Sequence, residues 1–267
     1  MNGQRKWALV LGASSGFGEA TAVTLAKRGR NVFGVHLDRK TTLPNVDRIV
    51  SEIEAAGAKA AFFNVNAADH EKRAEVLSAI KQRLEADGPH PGGIDVVLHS
   101  LAFGTLKPFT AQNASERLSP AQLEMTLDVM ASSLVYWVQD LLAADLLAEG
   151  GHVYAMTSAG GHRIWPSYGA VSAAKAALES HCRQLAVELI PKRISVNAIR
   201  AGVTDTPALR KIPGSSQMID RCLAVHPAGR LTTPQEIADV IAVVSTPETY
   251  WMTGNVLGVD GAEDVVG

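Results

Sequence analysis

The chain has 267 residues, 46% of them apolar and 19% charged, a composition that excludes wholesale disorder. Lys and Arg total 25 against 27 Asp and Glu, a formal charge of -2, so neither nucleic acid nor an anionic membrane is expected as a main partner. No apolar run reaches the roughly 18 residues of a membrane span. The opening MNGQRKWALVLGASSG lacks a secretory pattern, and Cys182 and Cys222 are too few for a disulfide scaffold or a cysteine-rich zinc site, so a cytoplasmic globular protein is expected.

Short β-type runs at 6–11, 31–36, 60–64, 95–99, 152–157, 194–199 and 256–259 alternate with longer amphipathic stretches. Such runs suit strands buried on both faces of a parallel sheet. Ser119-Pro120 with Gln122, and Thr233-Pro234 with Glu236, read as capping boxes with proline at the first helical position. Pro191 closes the helix that contains Lys175, and GPHPGG at 88–93 reads as a surface loop. The predicted fold is α/β: a doubly wound parallel sheet (Rossmann) of about seven strands flanked by helices, forming a single domain over 1–267.

After the first predicted strand comes Gly12-Ala13-Ser14-Ser15-Gly16-Phe17-Gly18, then a helical pattern. Glycines at this spacing let the backbone turn sharply and approach a pyrophosphate, with free N–H groups at the helix start facing the anion. The ribose end is ambiguous. Asp38 lies where a carboxylate can bind ribose hydroxyls and repel a 2′-phosphate. Counting the second strand from Gly29, however, puts His36 at its end, with Arg39 just beyond as a guanidinium able to pair with a 2′-phosphate. The reading leans to NADPH over NADH. A metal role is not expected, because the eight histidines form no ligand-spaced cluster.

The G-x-x-x-G-x-G turn resembles that of the short-chain dehydrogenases. That family carries a catalytic Tyr-x3-Lys and a serine 17 residues before the lysine. Ser158 matches the serine of Lys175, but the position four before the lysine is Val171, and Tyr168 stands seven before it instead. Seven helical steps return a side chain to within about 20° of its starting face, some 10 Å along the axis, so the two can meet over one ligand. Tyr-x6-Lys is similar to the enoyl-acyl-carrier-protein reductases, a divergent branch of the family. His99-Ser100-Leu101-Ala102 after the fourth strand resembles that branch too, and the asparagine of a proton relay in standard members falls at Met130.

The resemblance implies catalytic roles for Tyr168, Lys175 and Ser158. It implies cofactor contacts from Gly12, Ser14, Ser15, Gly16, Phe17, Gly18, His36, Arg39, Asn66, Ala67, Ser100, Leu101, Ala102, Lys175, Gly202, Val203 and Thr204, and a substrate lid over about 204–227. Lys175 would position the nicotinamide ribose, and His99 would lie beneath the nicotinamide in a hydrogen-bonded structural role. It further implies a small or carrier-bound acyl substrate and a homotetramer built on the Lys175 helix and the helix from Pro120. The leading expectation is reduction of the C2–C3 double bond of an enoyl thioester. The alternatives are carbonyl–alcohol interconversion on the same fold, which Ser158 favours, and a dinucleotide-binding protein without catalysis.

Overall fold

Alternate residues of each central strand enter opposite cores, as a sheet covered on both faces requires. In β1 (Trp7–Leu11), Trp7, Leu9 and Leu11 face one core while Ala8 and Val10 face the other. The computed structural model describes residues 5–88 and 93–266. The further strands are β2 (Asn31–His36), β3 (Ala60–Asn64), β4 (Ile94–His99), β5 (Leu147–Ser158), β6 (Ser195–Ala201) and β7 (Val256–Val259). All pair in parallel in the order β3-β2-β1-β4-β5-β6-β7.

The helices divide between the two faces. Apolar stripes of α3 (His70–Ala86), α5 (Ser133–Ala143) and α6 (Gly169–Leu189) fill the first core. Those of α1 (Gly16–Lys27), α2 (Leu43–Ala55) and α8 (Pro234–Val244) fill the second. Helix α4 (Pro120–Leu127) passes through a π-helical turn, Asp128–Ser132, into α5. Both predicted capping boxes form, with Ser119 accepting from Gln122 N and Thr233 from Glu236 N. Among the described residues no helix is long and apolar enough to cross a membrane.

Two boundaries differ from the sequence reading. β5 begins at Leu147 rather than 152, because Gly150 and Gly151 are absorbed as a register shift between the pairings Ile94–Leu147 and Val96–His152. β6 runs to Ala201, paired with Val259 of β7. The predicted loop at 88–93 lies largely outside the described residues. Segment 206–227 contains a short turn, Leu209–Lys211, and a helix, α7 (Ser215–Val225).

Strand order reverses between β1 and β4, which opens a crevice at their carboxyl ends. There the chain is tight: a Cβ on Gly12 would lie 2.5 Å from the Ser100 carbonyl oxygen. One on Gly18 would overlap the Gly12 carbonyl, so α1 seats directly on the turn.

Candidate active site

The turn after β1 forms a cradle for an anion. Gly12 N and Ala13 N both donate to Val35 O, at 2.8 and 3.1 Å, which folds the loop back onto β2. Ser15 flanks α1 without a side-chain capping bond, so the first helical amides keep no cap and face the crevice. Thr206, from the segment leaving β6, packs its methyl group toward Gly16, with a Cβ there reaching it at 3.4 Å. Residues 12–18 and 202–206 are thus opposite walls of one cleft. Thr206 escaped the sequence reading because nothing local sets it apart from its polar neighbours.

At the ribose end His36 is buried, Asp38 half-buried and Arg39 exposed. The buried His36 ring lies near Phe62, and Nδ1 donates to Asp38 Oδ2 at 3.0 Å. Arg39 is exposed and makes no ion pair among the described residues. Asp38 is the ordered group: its N–H donates to Asn64 Oδ1 at 2.9 Å, and its carbonyl accepts from Asn64 Nδ2 at 3.0 Å. Burial works to raise the Asp38 carboxyl, but the Thr42 and Ser14 hydroxyls and the His36 ring outweigh it and hold the group below its usual range. A carboxylate therefore stands beside Ser14 of the glycine turn. Further along, Asn66 Oδ1 accepts from Ala68 N at 3.1 Å, and the Ala67 carbonyl accepts from Trp137 Nε1 at 2.8 Å. The first bond closes the turn into α3, and the second ties that turn to α5.

Lys175 is buried on α6, and Nζ donates to Met156 O at 2.6 Å, near the end of β5. Burial pushes its pKa down to about 8, with Glu179 offsetting part of the shift. Thr157 Oγ1 donates to Glu179 at 2.7 Å, which ties the same helix to the same strand. Two residues beyond Met156, Ser158 Oγ is buried and has no hydrogen-bond partner among the described residues.

Tyr168 is not within the helix, as the seven-step argument assumed; it precedes α6 as its N-cap, with φ -95° and ψ 0°. Its orientation comes from the turn 165–168, closed by Tyr168 N donating to Trp165 O at 3.2 Å. Ser167 takes a left-handed φ of 62° in that turn, a conformation that costs about 1 kcal/mol outside glycine. The Tyr168 ring packs on the first core and over Gly160, where a Cβ would lie 2.5 Å from Tyr168 Cε1 and 3.2 Å from Ser158 Oγ. The phenol thus converges on Ser158, although the two hydroxyls stop short of a formed hydrogen bond. Burial raises the Tyr168 pKa, with Ser158 only partly opposing it, so the phenol stays neutral and able to donate. Gly160 was not singled out from the sequence, since only the folded loop reveals the ring above it.

Val171 is in the core, directed at Gly104, where a Cβ would meet both Val171 Cγ2 and Met130 Sδ. No phenol or amide stands at these two positions. His99 Nε2 pairs with Ser133 Oγ at 2.8 Å, and that hydroxyl donates to Val129 O at 2.8 Å. The imidazole is therefore the donor in that pair. Burial and the Lys175 charge bring its pKa to about 3, so it is neutral and structural.

The cradle and the buried unpaired Ser158 hydroxyl fit a bound dinucleotide. Comparisons with known proteins agree. A family model described as enoyl-(acyl carrier protein) reductase matches residues 12–262. The chain belongs to this division of the short-chain dehydrogenase/reductase superfamily. It is similar to the 1-cyclohexenylcarbonyl-CoA reductase of Streptomyces collinus, at 29% identity over 98% of this chain and 88% of that one. It is also similar to the 3-oxoacyl-[acyl-carrier-protein] reductase of Thermotoga maritima, at 26% identity over 96% of each. Among solved structures, a short-chain dehydrogenase/reductase from Serratia marcescens superposes with a TM-score of 0.78, at 25% identity over 98% of each chain. The protein is thus an NAD(P)-dependent oxidoreductase of the short-chain type.

Two outcomes test this geometry. Gly160→Ala should push the Tyr168 ring from its place and lower turnover by roughly a hundredfold, while dinucleotide affinity, read by fluorescence titration, stays within about twofold. Lys175 keeps its ammonium only below a pKa of about 8, so kcat/KM should decline as pH rises through that value. A pH profile flat across it would mean the charge has no part in the reaction.

Proposed function

We propose that the protein reduces the C2–C3 double bond of an enoyl thioester, using NADH. One observation carries the reaction type: the phenol of the cleft comes from Tyr168, over Gly160, while Val171 fills the core where carbonyl-reducing members of the family carry their tyrosine. A bound reduced dinucleotide supplies the hydride. The glycine turn would hold its pyrophosphate, and Lys175, beside the end of β5, would orient its nicotinamide ribose.

The chain's own contribution is to stabilise the negative charge that gathers on the thioester oxygen. Tyr168, a neutral phenol converging on Ser158, donates a hydrogen bond to that oxygen. Ser158 Oγ, without a protein partner, is free to add a second donor. One donor of this kind is worth about 3 kcal/mol of barrier, roughly a hundredfold in rate. The loss of the relay asparagine at Met130 agrees with a reaction in which charge is stabilised on oxygen rather than handed through a proton chain. The Streptomyces relative, whose name describes reduction of a cyclohexenyl thioester, supports the same substrate class.

NADH is preferred in this reading because the carboxylate beside Ser14 is that of Asp38, while Arg39 is turned to solvent. A fixed anion there accepts from ribose hydroxyls and repels a 2′-phosphate. The second reading, carbonyl reduction, draws on the retained Ser158 and on the Thermotoga relative.

Crotonyl thioesters on coenzyme A and on acyl-carrier protein, run beside a ketone panel, separate the two. Oxidation of NADH should follow the thioesters and not the ketones, and Tyr168→Phe should lower that rate about a hundredfold with cofactor affinity nearly unchanged. Turnover on ketones alone would replace this reading with the second. Asp38→Asn should move the NADPH-to-NADH ratio of kcat/KM upward by about tenfold, measured at fixed ionic strength.

A further inference from the structure

The last turns of the chain reach parts of the cleft that lie far from them in sequence. After β7 the backbone passes through Gly261 and Ala262, with φ of 58° and 71°, into a single turn, Glu263–Val265. For Ala262 this is a left-handed conformation that L side chains resist. Asp260 holds it there: Oδ1 accepts from Ala262 N at 3.1 Å, and its carbonyl accepts from Glu263 N at 3.0 Å. The turn therefore aims two neighbouring carboxylates at different elements.

Glu263 Oε2 accepts from Val203 N at 2.8 Å, at the start of the segment that carries Thr206 to the glycine turn. Asp264 accepts from Arg163 Nε at 2.9 Å, from His162 Nε2 at 3.1 Å and from Arg200 Nη1 at 3.1 Å. Its carbonyl also accepts from Arg163 Nη2 at 2.6 Å. His162 and Arg163 directly follow the Gly160 loop on which Tyr168 rests. The end of the lid is held as well. His226, after α7, accepts Ala228 N at Nδ1, which leaves the proton on Nε2 to donate to Asp260 O at 3.0 Å. Exposed ion pairs contribute little, but the Asp264 side chain is only 10% exposed and is screened less by solvent.

Five consecutive residues, 260–264, thus fasten the wall of the cofactor cleft, the loop under the phenol and the end of the lid. We propose that Glu263 and Asp264 are positioning residues that, together with Asp260, hold these three parts in the arrangement the dinucleotide requires. The C-terminal turn then sets cofactor affinity through the backbone it anchors. This inference is independent of whether a thioester or a carbonyl is reduced, because it is read by binding.

The test uses the full chain with Glu263→Ala, Glu263→Gln and Asp264→Asn. Binding of NADH, and in parallel NADPH, is followed by fluorescence titration, and backbone exchange by hydrogen–deuterium mass spectrometry. Glu263→Ala should weaken dinucleotide binding about tenfold and raise exchange in 202–206 and 215–225 together, with strands β1–β3 unchanged. Glu263→Gln keeps a carbonyl acceptor for Val203 N and should recover affinity to within about threefold. Asp264→Asn should loosen 159–163 while leaving the lid protected. Should Glu263→Ala not fold, Asp264→Asn carries the test by the same two readouts. Unchanged affinity with extra exchange confined to 260–266 would overturn the proposal, as would uniform loosening of the whole sheet.

Discussion

A buried ammonium organises this molecule's chemistry. Lys175 sits inside α6, and its Nζ donates to the Met156 carbonyl of β5, so one charge in a low-dielectric site fixes helix against strand. Leaving such a group unpaired would cost several kcal/mol, which makes the relative placement of α6 and β5 nearly obligatory. Ser158 lies two residues past that carbonyl on the same strand, and Tyr168 stands at the head of the same helix. The same burial lowers the lysine pKa, and the lysine charge in turn lowers that of the buried His99 imidazole.

The site departs from the pattern of carbonyl reducers by exchange of volume as much as by exchange of chemistry. Val171 and Met130 close on Gly104 to make apolar packing where polar groups would otherwise stand. The phenol instead enters from the turn 165–168, through a strained Ser167 and over a residue that must lack a side chain. Strain of this kind persists where the surroundings over-determine it, and the neighbouring Trp165 supplies such support by donating Nε1 to Pro213 O at the lid. The loop that carries Tyr168 is thus attached to the segment that leads into α7.

At the opposite end of the cleft, burial also decides charge. His36 and Asp38 are two residues apart at the exit of β2, so their side chains fall on one side of the chain and meet, Nδ1 to Oδ2, at 3.0 Å. The imidazole is enclosed with Phe62, and the carboxylate is left facing the glycine turn with its backbone pinned to Asn64. Together with the C-terminal turn, this makes a cleft whose walls are set mainly by side chains outside it.

Much of this was legible from the amino-acid order alone. Short continuous apolar runs and capping boxes defined the seven strands and the helices between them, and motif spacing marked Gly12–Gly18, Ser158, Tyr168 and Lys175, because those signals are local. The lid resisted assignment because the periodicity of α7 is interrupted by polar residues. Other features were decided only by tertiary structure: that His36 is buried while Asp38 is pinned to Asn64, why Gly160 must be small, and that Glu263 and Asp264 reach Val203 and Arg163. Glu263 meets Val203 across 60 residues, and Asp264 meets Arg163 across 101. No local pattern encodes contacts at such separations; they exist because the parallel sheet gathers its strand ends along one edge and the buried groups there must find partners.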